Sequence, residues 1–344
     1  MSHTVDLRID VTHALDFAEP VHIAATVTLP HAEDLPARPL VCFAKPSGGY
    51  SRHYFTQDLP GPATGAEAQF HAGRGWIFVA IDNLGSGESA THASDTLDFA
   101  AVTAAAHAAE QEILLRLANG VLVPDFPPVL QPVTLGLGQS TGGSLTIVQQ
   151  ARHRAYDGLA ILGFSVLHSR FPTPPGAAPI VAPWYARDAL VNAPAVEAAA
   201  ARPNSAWAAI AWGFHYDDVP REVVEADLDH YESMIAGGAP APAGERALWN
   251  SYSLPSDATR FTLTPGAIAA EAAAVAVPVL SAMGERDLIV DPLGEARAFL
   301  SAPSHDLFVC PRMGHMHNFA GTRALLWERI HLFGAWCAAL KAGG

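Results

Sequence analysis

The sequence predicts an α/β fold, in which a mostly parallel, twisted sheet is flanked by helices and carries an inserted helical cap. Short apolar runs alternate with helical patterns along most of the 344 residues, and this alternation is typical of parallel sheets. Residues 165–265 interrupt the alternation, because they are rich in Pro and Ala and contain no convincing strand. We therefore predict two domains, a core of residues 1–164 and 266–344 and a helical cap of residues 165–265.

The predicted strands fall into two classes. Residues 4–11 and 21–29 alternate apolar and polar side chains, which predicts an antiparallel pair at one edge of the sheet. The others are buried-type apolar runs, residues 39–44, 76–81, 133–137, 158–164, 277–283 and 306–310. Helical patterns cover residues 96–118, 143–150, 293–301 and 321–341 in the core and residues 185–201, 204–214, 219–236 and 243–250 in the cap.

The composition limits the kinds of molecule that the protein is expected to bind. Half of the residues are hydrophobic, so a sizeable core is available, and the formal net charge is −14. Lys and Arg form no cluster, which argues against a nucleic-acid partner. The first residues lack a basic and an apolar targeting region, and no apolar run reaches transmembrane length. We expect a cytoplasmic protein that acts on a small molecule and does not bind a membrane. The sequence does not determine its oligomeric state, and a homodimer is one of the alternatives.

Cysteines and histidines do not form a metal-binding pattern. The three cysteines, Cys42, Cys310 and Cys337, lack CxxC spacing, which argues against disulfides and structural zinc. Among sixteen histidines, His315 and His317 form an H-x-H, but no Asp-His follows it and no H-E-x-x-H occurs. No dinucleotide-binding glycine pattern is complete either. We expect neither a metal nor a cofactor.

Residues 138–142 form a Gly-x-Ser-x-Gly motif between a predicted strand and a predicted helix. Strand, sharp turn and helix together form the context of a nucleophile elbow. The small residues Gly138 and Gly142 suit this strained turn, where larger side chains would collide with neighbouring segments. The turn would push the hydroxyl of Ser140 into the open, with the amides of the following helix pointing at the same place. Ser140 is therefore the candidate nucleophile.

A serine nucleophile needs a base and an acid that orients the base. Asp287 lies just past the end of a predicted strand, where open α/β sheets place their sites. His315 follows the last predicted strand. Each has nearby rivals: Glu285 and Asp291 for the acid, and His317 for the base. The histidine that is not the base is expected to line the pocket or to bond to the backbone.

These matches together resemble the α/β-hydrolase superfamily, over nearly the whole chain except the cap. Ser140 matches the elbow nucleophile, Asp287 the acid of a G-x-x-D segment and His315 the histidine of a late G-H segment. Residues 82–89 also match the D-x-x-G-x-G-x-S turn that follows an early strand in many members. Four matches in the correct order are far more specific than any one of them.

The resemblance implies that the loop at residues 45–50 donates one amide of an oxyanion hole. Many members carry His-Gly there, whereas this chain has Lys45 and Pro46. Pro46 has no N–H, so the expected donors are Ser47, Gly48 or Gly49. The second donor would be the amide of Thr141, which follows the nucleophile.

The candidate pocket is rich in aromatic and imidazole side chains. We predict as its lining Tyr50, His53, Trp184, Trp212 and His317, although most cap aromatics are expected to form the cap's own core. Lys45 and its loop neighbours could also touch substrate. Lys and Arg are scarce in the cap, so the prediction is a serine hydrolase of a small, moderately hydrophobic ester or lactone. The alternatives are a thioesterase, amidase or C–C bond hydrolase, a cofactor-free acyltransferase, or a non-catalytic relative that binds a hydrophobic ligand.

Overall fold

A computed structural model of the chain contains one eight-stranded sheet. It describes residues 3–92, 97–180, 205–236, 246–255, 257 and 261–343. In chain order the strands are β1 His3–Asp10, β2 His22–Leu29, β3 Leu40–Lys45, β4 Trp76–Ile81, β5 Val133–Gln139, β6 Gly158–Leu162, β7 Val279–Gly284 and β8 His305–Cys310.

The sheet is mostly parallel, as the sequence predicts. Its strand order is β1-β2-β4-β3-β5-β6-β7-β8. Strand β1 pairs with β2, and β2 with β4, in antiparallel register, whereas every other pair is parallel. The predicted antiparallel pair at one edge is thus confirmed. Because β3 and β5 to β8 are parallel, their carboxyl ends lie along one edge of the sheet, where sites of open α/β sheets form.

The described helices follow the predicted alternation in most places. They are α1 His53–Thr56, α2 Glu67–Ala72, α3 Phe99–Ala118, α4 Thr141–His153, α5 Ser205–Phe214, α6 Arg221–Ala236, α7 Ala269–Ala274 and α8 Arg323–Gly343. The predictions at residues 96–118, 204–214, 219–236 and 321–341 are confirmed. Helices α5 and α6 stand between β6 and β7 in the chain, inside the predicted cap, whose bounds at residues 165–265 stay a prediction.

Two predicted helices are wrong in the described residues. At residues 293–301 the structure has only a short 3₁₀ helix, Pro292–Arg297, and the Asp291 side chain caps its start by accepting from the Gly294 amide. Of residues 243–250, the described part is a turn ending in a β-bridge to the loop after β3. Tertiary pairing there overrides helix propensity. The predicted helix at residues 185–201 lies outside the described residues.

Each face of the sheet carries one apolar layer. Helices α3 and α4 cover one face, with Phe99, Ile113 and Ile147 among the buried side chains. Helices α2 and α8 cover the other, with Ile330 and Phe333 fully buried. All three cysteines are buried and free, as the sequence predicts for Cys42 and Cys310. The two layers hold the strands rigidly, so their carboxyl ends are a firm base for the loops of the candidate site.

Candidate active site

Ser140 occupies a strained turn between β5 and α4. Its backbone angles are φ 53° and ψ −118°, a conformation that a non-glycine residue adopts only where the surrounding structure enforces it. A side chain at Gly138 would run into the Gly142 carbonyl, and one at Gly142 would run into the Lys45 carbonyl. The glycines of the motif are therefore required by close backbone approach. Ser140 is only 4% exposed, so the site is enclosed, whereas the sequence interpretation places the hydroxyl in the open.

Asp287 and His315 lie together after β7 and β8. His315 Nδ1 is 2.7 Å from Asp287 Oδ1. The amides of Gly284 and Leu288 donate to the same carboxylate at 2.9 and 2.7 Å. Burial alone would raise the pKa of Asp287, but its contacts with His315 and His317 outweigh burial and hold that pKa well below its usual range. The carboxylate is thus ionised and can orient an imidazole.

The rival acids are occupied elsewhere. Glu285 accepts a hydrogen bond from the Arg312 amide at 2.8 Å, and this bond lowers the pKa of Glu285. Asp291 caps the 3₁₀ helix that begins at Pro292. Of the three acidic candidates, Asp287 is the one that the structure brings to His315.

The end of β6 joins the serine to the histidine and the acid. The Ser140 amide donates to the Leu162 carbonyl at 2.7 Å. Gly163 is the next residue, and a Cβ atom built on it would lie 3.0 Å from His315 Nδ1 and 3.1 Å from Asp287 Oδ1. Ser140 is therefore bound to Leu162, and the imidazole of His315 lies beside the adjacent residue, Gly163. Sequence reasoning missed Gly163, whose signal would have been a glycine at the end of a central strand.

The predicted oxyanion loop lies directly beside the helix that begins after Ser140. Thr141 is in the first turn of α4, where amides have no partner within the helix. The contact of Gly142 with the Lys45 and Pro46 carbonyls brings residues 45–49 against that turn. Gly49 has φ +85°, and the Tyr50 amide donates to the Ser47 carbonyl at 3.1 Å, so the loop is a tight turn. Assignment of Thr141, Ser47, Gly48 and Gly49 as oxyanion donors stays a prediction.

The other predicted pocket residues have these positions. The buried hydroxyl of Tyr50 donates to Asp227 on α6 at 2.8 Å. His53 lies on α1, where burial and the Arg52 cation lower its pKa.

Among the other predicted pocket residues, Trp212 packs against a cation. The guanidinium of Arg286 lies over the ring of Trp212, 4.4 Å from its centroid. His317 contacts Asp287, and Trp184 lies outside the described residues. Whether these residues line a pocket stays a prediction.

The side chain of Lys45 is directed into the core. Its ammonium is 2.6 Å from Glu110 Oε1 and 2.7 Å from the Tyr156 hydroxyl. The Lys45 and Glu110 side chains are each 1% exposed. The Gln149 amide and the Tyr156 hydroxyl complete the partners of the Glu110 carboxylate. Lys45 therefore anchors the start of the loop at residues 45–50 from the core side, with its ammonium bound to Glu110 and Tyr156.

The end of helix α5 supports the loop that carries His315. The amides of His315 and Met316 each donate at 2.9 Å to the carbonyls of Gly213 and Phe214, the last residues of that helix. The ring of Phe214 lies 5.0 Å from the ring of His315. These contacts explain why His315 is only 1% exposed.

A buried carboxylate on α6, Asp227, binds that helix to the loop that follows β3. It accepts from the Tyr50 hydroxyl at 2.8 Å, from the Trp249 ring nitrogen at 3.1 Å and contacts His215 Nε2 at 2.9 Å. Backbone bonds add to this, because the Ser51 amide donates to the Trp249 carbonyl at 2.8 Å. The sequence contains no local signal for Asp227, since its partners are distant in the chain.

In the described ranges, no group of three or more His, Cys, Asp or Glu side chains is arranged to hold a metal ion. None of the helices in the described part of the chain combines the length and apolar character needed to cross a bilayer.

Solved structures with this arrangement of strands and helices match nearly the whole chain. An esterase from Thermogutta terrifontis is 13% identical, with 96% of this chain and 99% of that chain covered and a TM-score of 0.56. The 2-hydroxy-6-oxo-6-phenylhexa-2,4-dienoate hydrolase from a Rhodococcus species is 15% identical, with 97% and 99% covered and a TM-score of 0.56. A loop variant of a haloalkane dehalogenase from Bradyrhizobium elkanii is 16% identical, with 99% of both chains covered and a TM-score of 0.54. The sequence matches no family model and no curated protein sequence.

Proposed function

Because the chain has the α/β-hydrolase fold, we propose that it is a serine hydrolase that cleaves a carboxylic ester or lactone through an acyl-enzyme. Ser140 attacks the carbonyl carbon, and His315 takes the hydroxyl proton and then gives a proton to the leaving oxygen. Asp287 orients the imidazole and stabilises its cation. Water, activated by His315, releases the acyl group. No metal or cofactor takes part in these steps.

The tautomer of His315 supports its role as the base. An ionised carboxylate only accepts hydrogen bonds, so the nitrogen that contacts Asp287, Nδ1, carries the proton. The other nitrogen, Nε2, then has a free lone pair to accept the serine proton. In the described part of the chain no other side chain bonds to that nitrogen.

The observation that supports the proposal is that Ser140 and His315 lie beside two adjacent residues at the end of β6. The strained serine is bound to Leu162, and Gly163 lies against the imidazole and the acid. Such a convergence of three residues distant in sequence is what proton relay needs. The oxyanion would be bound by the Thr141 amide and by an amide of Ser47, Gly48 or Gly49.

The substrate is proposed to be small, neutral and moderately hydrophobic. The net charge of −14 disfavours strongly anionic molecules. The enclosed serine, 4% exposed, favours a substrate that is taken out of water before it reacts. We propose a cytoplasmic location and no nucleic-acid partner, in keeping with the composition.

The test replaces the nucleophile and compares it with another buried serine. Ser140→Ala should lower turnover of short p-nitrophenyl esters by at least about a thousandfold and abolish labelling by a fluorophosphonate. Ser281→Ala, which removes a buried hydroxyl within β7, should keep both. Labelling that persists in Ser140→Ala would remove Ser140 from the mechanism. A panel of aliphatic lactones and acyl esters on the wild type then separates the two substrate classes.

A further inference from the structure

Asp287 binds two histidines, one at each oxygen. His317 Nε2 is 2.7 Å from Oδ2, the same distance that separates His315 Nδ1 from Oδ1. The side chains of both histidines are 1% exposed and that of Asp287 is 2% exposed. A serine hydrolase needs only one histidine on its acid. The second histidine is therefore unexplained by the proposed reaction.

The backbone of Met316 makes this double contact possible. Residues two apart in a strand point to the same face, but they lie too far along the strand to share one carboxylate. Met316 has φ −89° and ψ 79°, close to an inverse γ-turn. This turn folds the two imidazoles toward each other, with ring centroids 6.3 Å apart. The pairing is thus built into the backbone that carries the base.

The contact determines the tautomer of His317. The pKa of Asp287 lies well below its usual range, so its carboxylate accepts and does not donate. His317 must therefore carry its proton on Nε2. Its other nitrogen, Nδ1, is buried and has no hydrogen-bond partner among the described residues. A proton on Nδ1 would add a buried N–H without a partner, which costs free energy.

These assignments separate the two histidines by role. His315 contacts the acid through Nδ1, which leaves Nε2 as the nitrogen proposed to accept the serine proton. His317 uses Nε2 for the acid, and its remaining nitrogen is enclosed. The geometry therefore selects His315 as the base and leaves His317 a different task.

We propose that His317 is a positioning residue: its Nε2–H holds Oδ2 of Asp287, which keeps Oδ1 directed at His315 and weakens the carboxylate as a base. The proposal rests on the proposed serine-hydrolase function. A carboxylate that has lost one donor attracts the proton of His315 more strongly. His315 would then stay protonated to a higher pH and could not accept the proton of Ser140 there.

Other ionisable groups face the turn that His317 begins. The Tyr54 hydroxyl on α1 accepts from the Asn318 amide at 2.9 Å, and the Glu67 carboxylate on α2 accepts from the Asn318 side chain at 2.8 Å. Burial raises the pKa of Tyr54, so it stays neutral in the range of the test. Three groups remain. Arg323 on α8 donates to the Asn318 carbonyl, and His215, which follows α5, packs on Phe319. Arg286 is bound to Asp217. None of these three contacts the carboxylate of Asp287 through a hydrogen bond in the described residues.

The experiment compares two replacements of His317. His317→Gln can place an amide N–H near the position of Nε2, whereas His317→Phe keeps a ring and removes the donor. The activity on p-nitrophenyl acetate, as kcat/KM, is measured between about pH 5 and pH 9. In His317→Phe the midpoint of the acid limb should rise by about 0.5 to 1 pH unit, with kcat lowered more than KM is changed. In His317→Gln the midpoint should stay near that of the wild type.

A second measurement covers the case in which His317→Phe does not fold. Nitrogen-15 histidine spectra of the wild type are recorded, and the His317 signal is identified by its loss in His317→Gln. It should show the neutral Nε2–H form throughout the active pH range. A cationic ring or an Nδ1–H form would overturn the proposal.

The outcomes separate this proposal from the proposed function. If Ser140→Ala is inactive but His317→Phe keeps the wild-type midpoint, only the role of His317 fails. The proposed role of His317 also fails if the Gln and Phe variants shift the midpoint equally. It fails too if the His317 variants are inactive while His315→Gln is active, because His317 would then be the base. If Ser140→Ala stays fully active, the proposed function fails, whatever the tautomer of His317.

Discussion

The side-chain amide of Gln139 donates a hydrogen bond of 2.9 Å to the backbone carbonyl of His315, 176 residues away in sequence. Gln139 is fully buried and directly precedes Ser140. The segment that carries the proposed nucleophile is therefore bound to the segment that carries the proposed base. A relay of protons depends strongly on such alignment, since small displacements of the reacting groups cost large factors in rate.

Replacement of Gln139 by methionine should lower activity more than stability. The variant keeps the volume of the side chain but removes the donor to His315. We expect a loss of about 1 kcal/mol in the free energy of unfolding and a loss of about tenfold or more in kcat/KM for p-nitrophenyl esters. Gln150→Met is the matched control, because Gln150 bonds to the backbone of Tyr156 at the far end of α4. Equal activity losses in both variants would contradict a positioning role for Gln139.

Removal of the Lys45 ammonium should destabilise the fold strongly. Lys45→Met leaves the buried Glu110 carboxylate without its cation, at a cost of about 3 to 5 kcal/mol in the free energy of unfolding. The double variant Lys45→Met with Glu110→Gln should recover much of the loss, since it leaves no uncompensated charge. Urea denaturation gives both values. The exposed pair of Arg221 and Glu225 provides a control, in which Arg221→Ala should change the midpoint little.

Loss of the Tyr50 hydroxyl should weaken the link between helix α6 and the loop that follows β3. Tyr50→Phe removes one of the donors to Asp227, and we expect a cost of about 1.5 to 3 kcal/mol because the acceptor is a carboxylate. If the loop supplies an oxyanion donor, kcat should fall severalfold while KM changes less. Thr103→Val removes a buried hydroxyl that bonds to Phe99 within α3, so it should lower stability without lowering kcat. A Tyr50→Phe enzyme with unchanged kcat would show that the link does not position the loop.

Asp287 should contribute to the loss of stability in acid. Its folded pKa lies below the unfolded value of about 3.9. The unfolded state therefore takes up the proton first, and stability that is present above about pH 4 is lost as the pH falls toward the folded pKa. In Asp287→Asn the free energy of unfolding should be lower at neutral pH and should decrease less between about pH 5 and pH 3. Curves of wild type and variant that run parallel on acidification would contradict the assignment.

The fold could be predicted because its signals are local. Apolar runs bounded by turn residues predict the strands. The alternation of these strands with helices predicts that most of the sheet is parallel. Helix prediction failed at residues 246–250, where the backbone pairs with the loop after β3. Short helices such as α1 and α7 were not predicted, because segments of 4 and 6 residues carry little periodicity.

Some features of the candidate site could likewise be predicted from local sequence, and others could not. The turn at Ser140 is encoded by its flanking glycines, and the positions of Asp287 and His315 follow from the strand ends that precede them. The inward direction of Lys45 could not be predicted, since the last residue of a buried strand can point to either side of the sheet edge. Asp227 could not be found either, because its partner Tyr50 is 177 residues away.

By itself the sequence determined the α/β architecture, the strained serine turn and the order of the proposed nucleophile, acid and base along the chain. These depend on backbone preferences and apolar patterns within a few neighbouring residues. Only the tertiary structure decided that both His315 and His317 bind Asp287, and through which nitrogens. Those contacts depend on where β7, β8 and the end of α5 meet, and that meeting is set by packing between segments far apart in the chain.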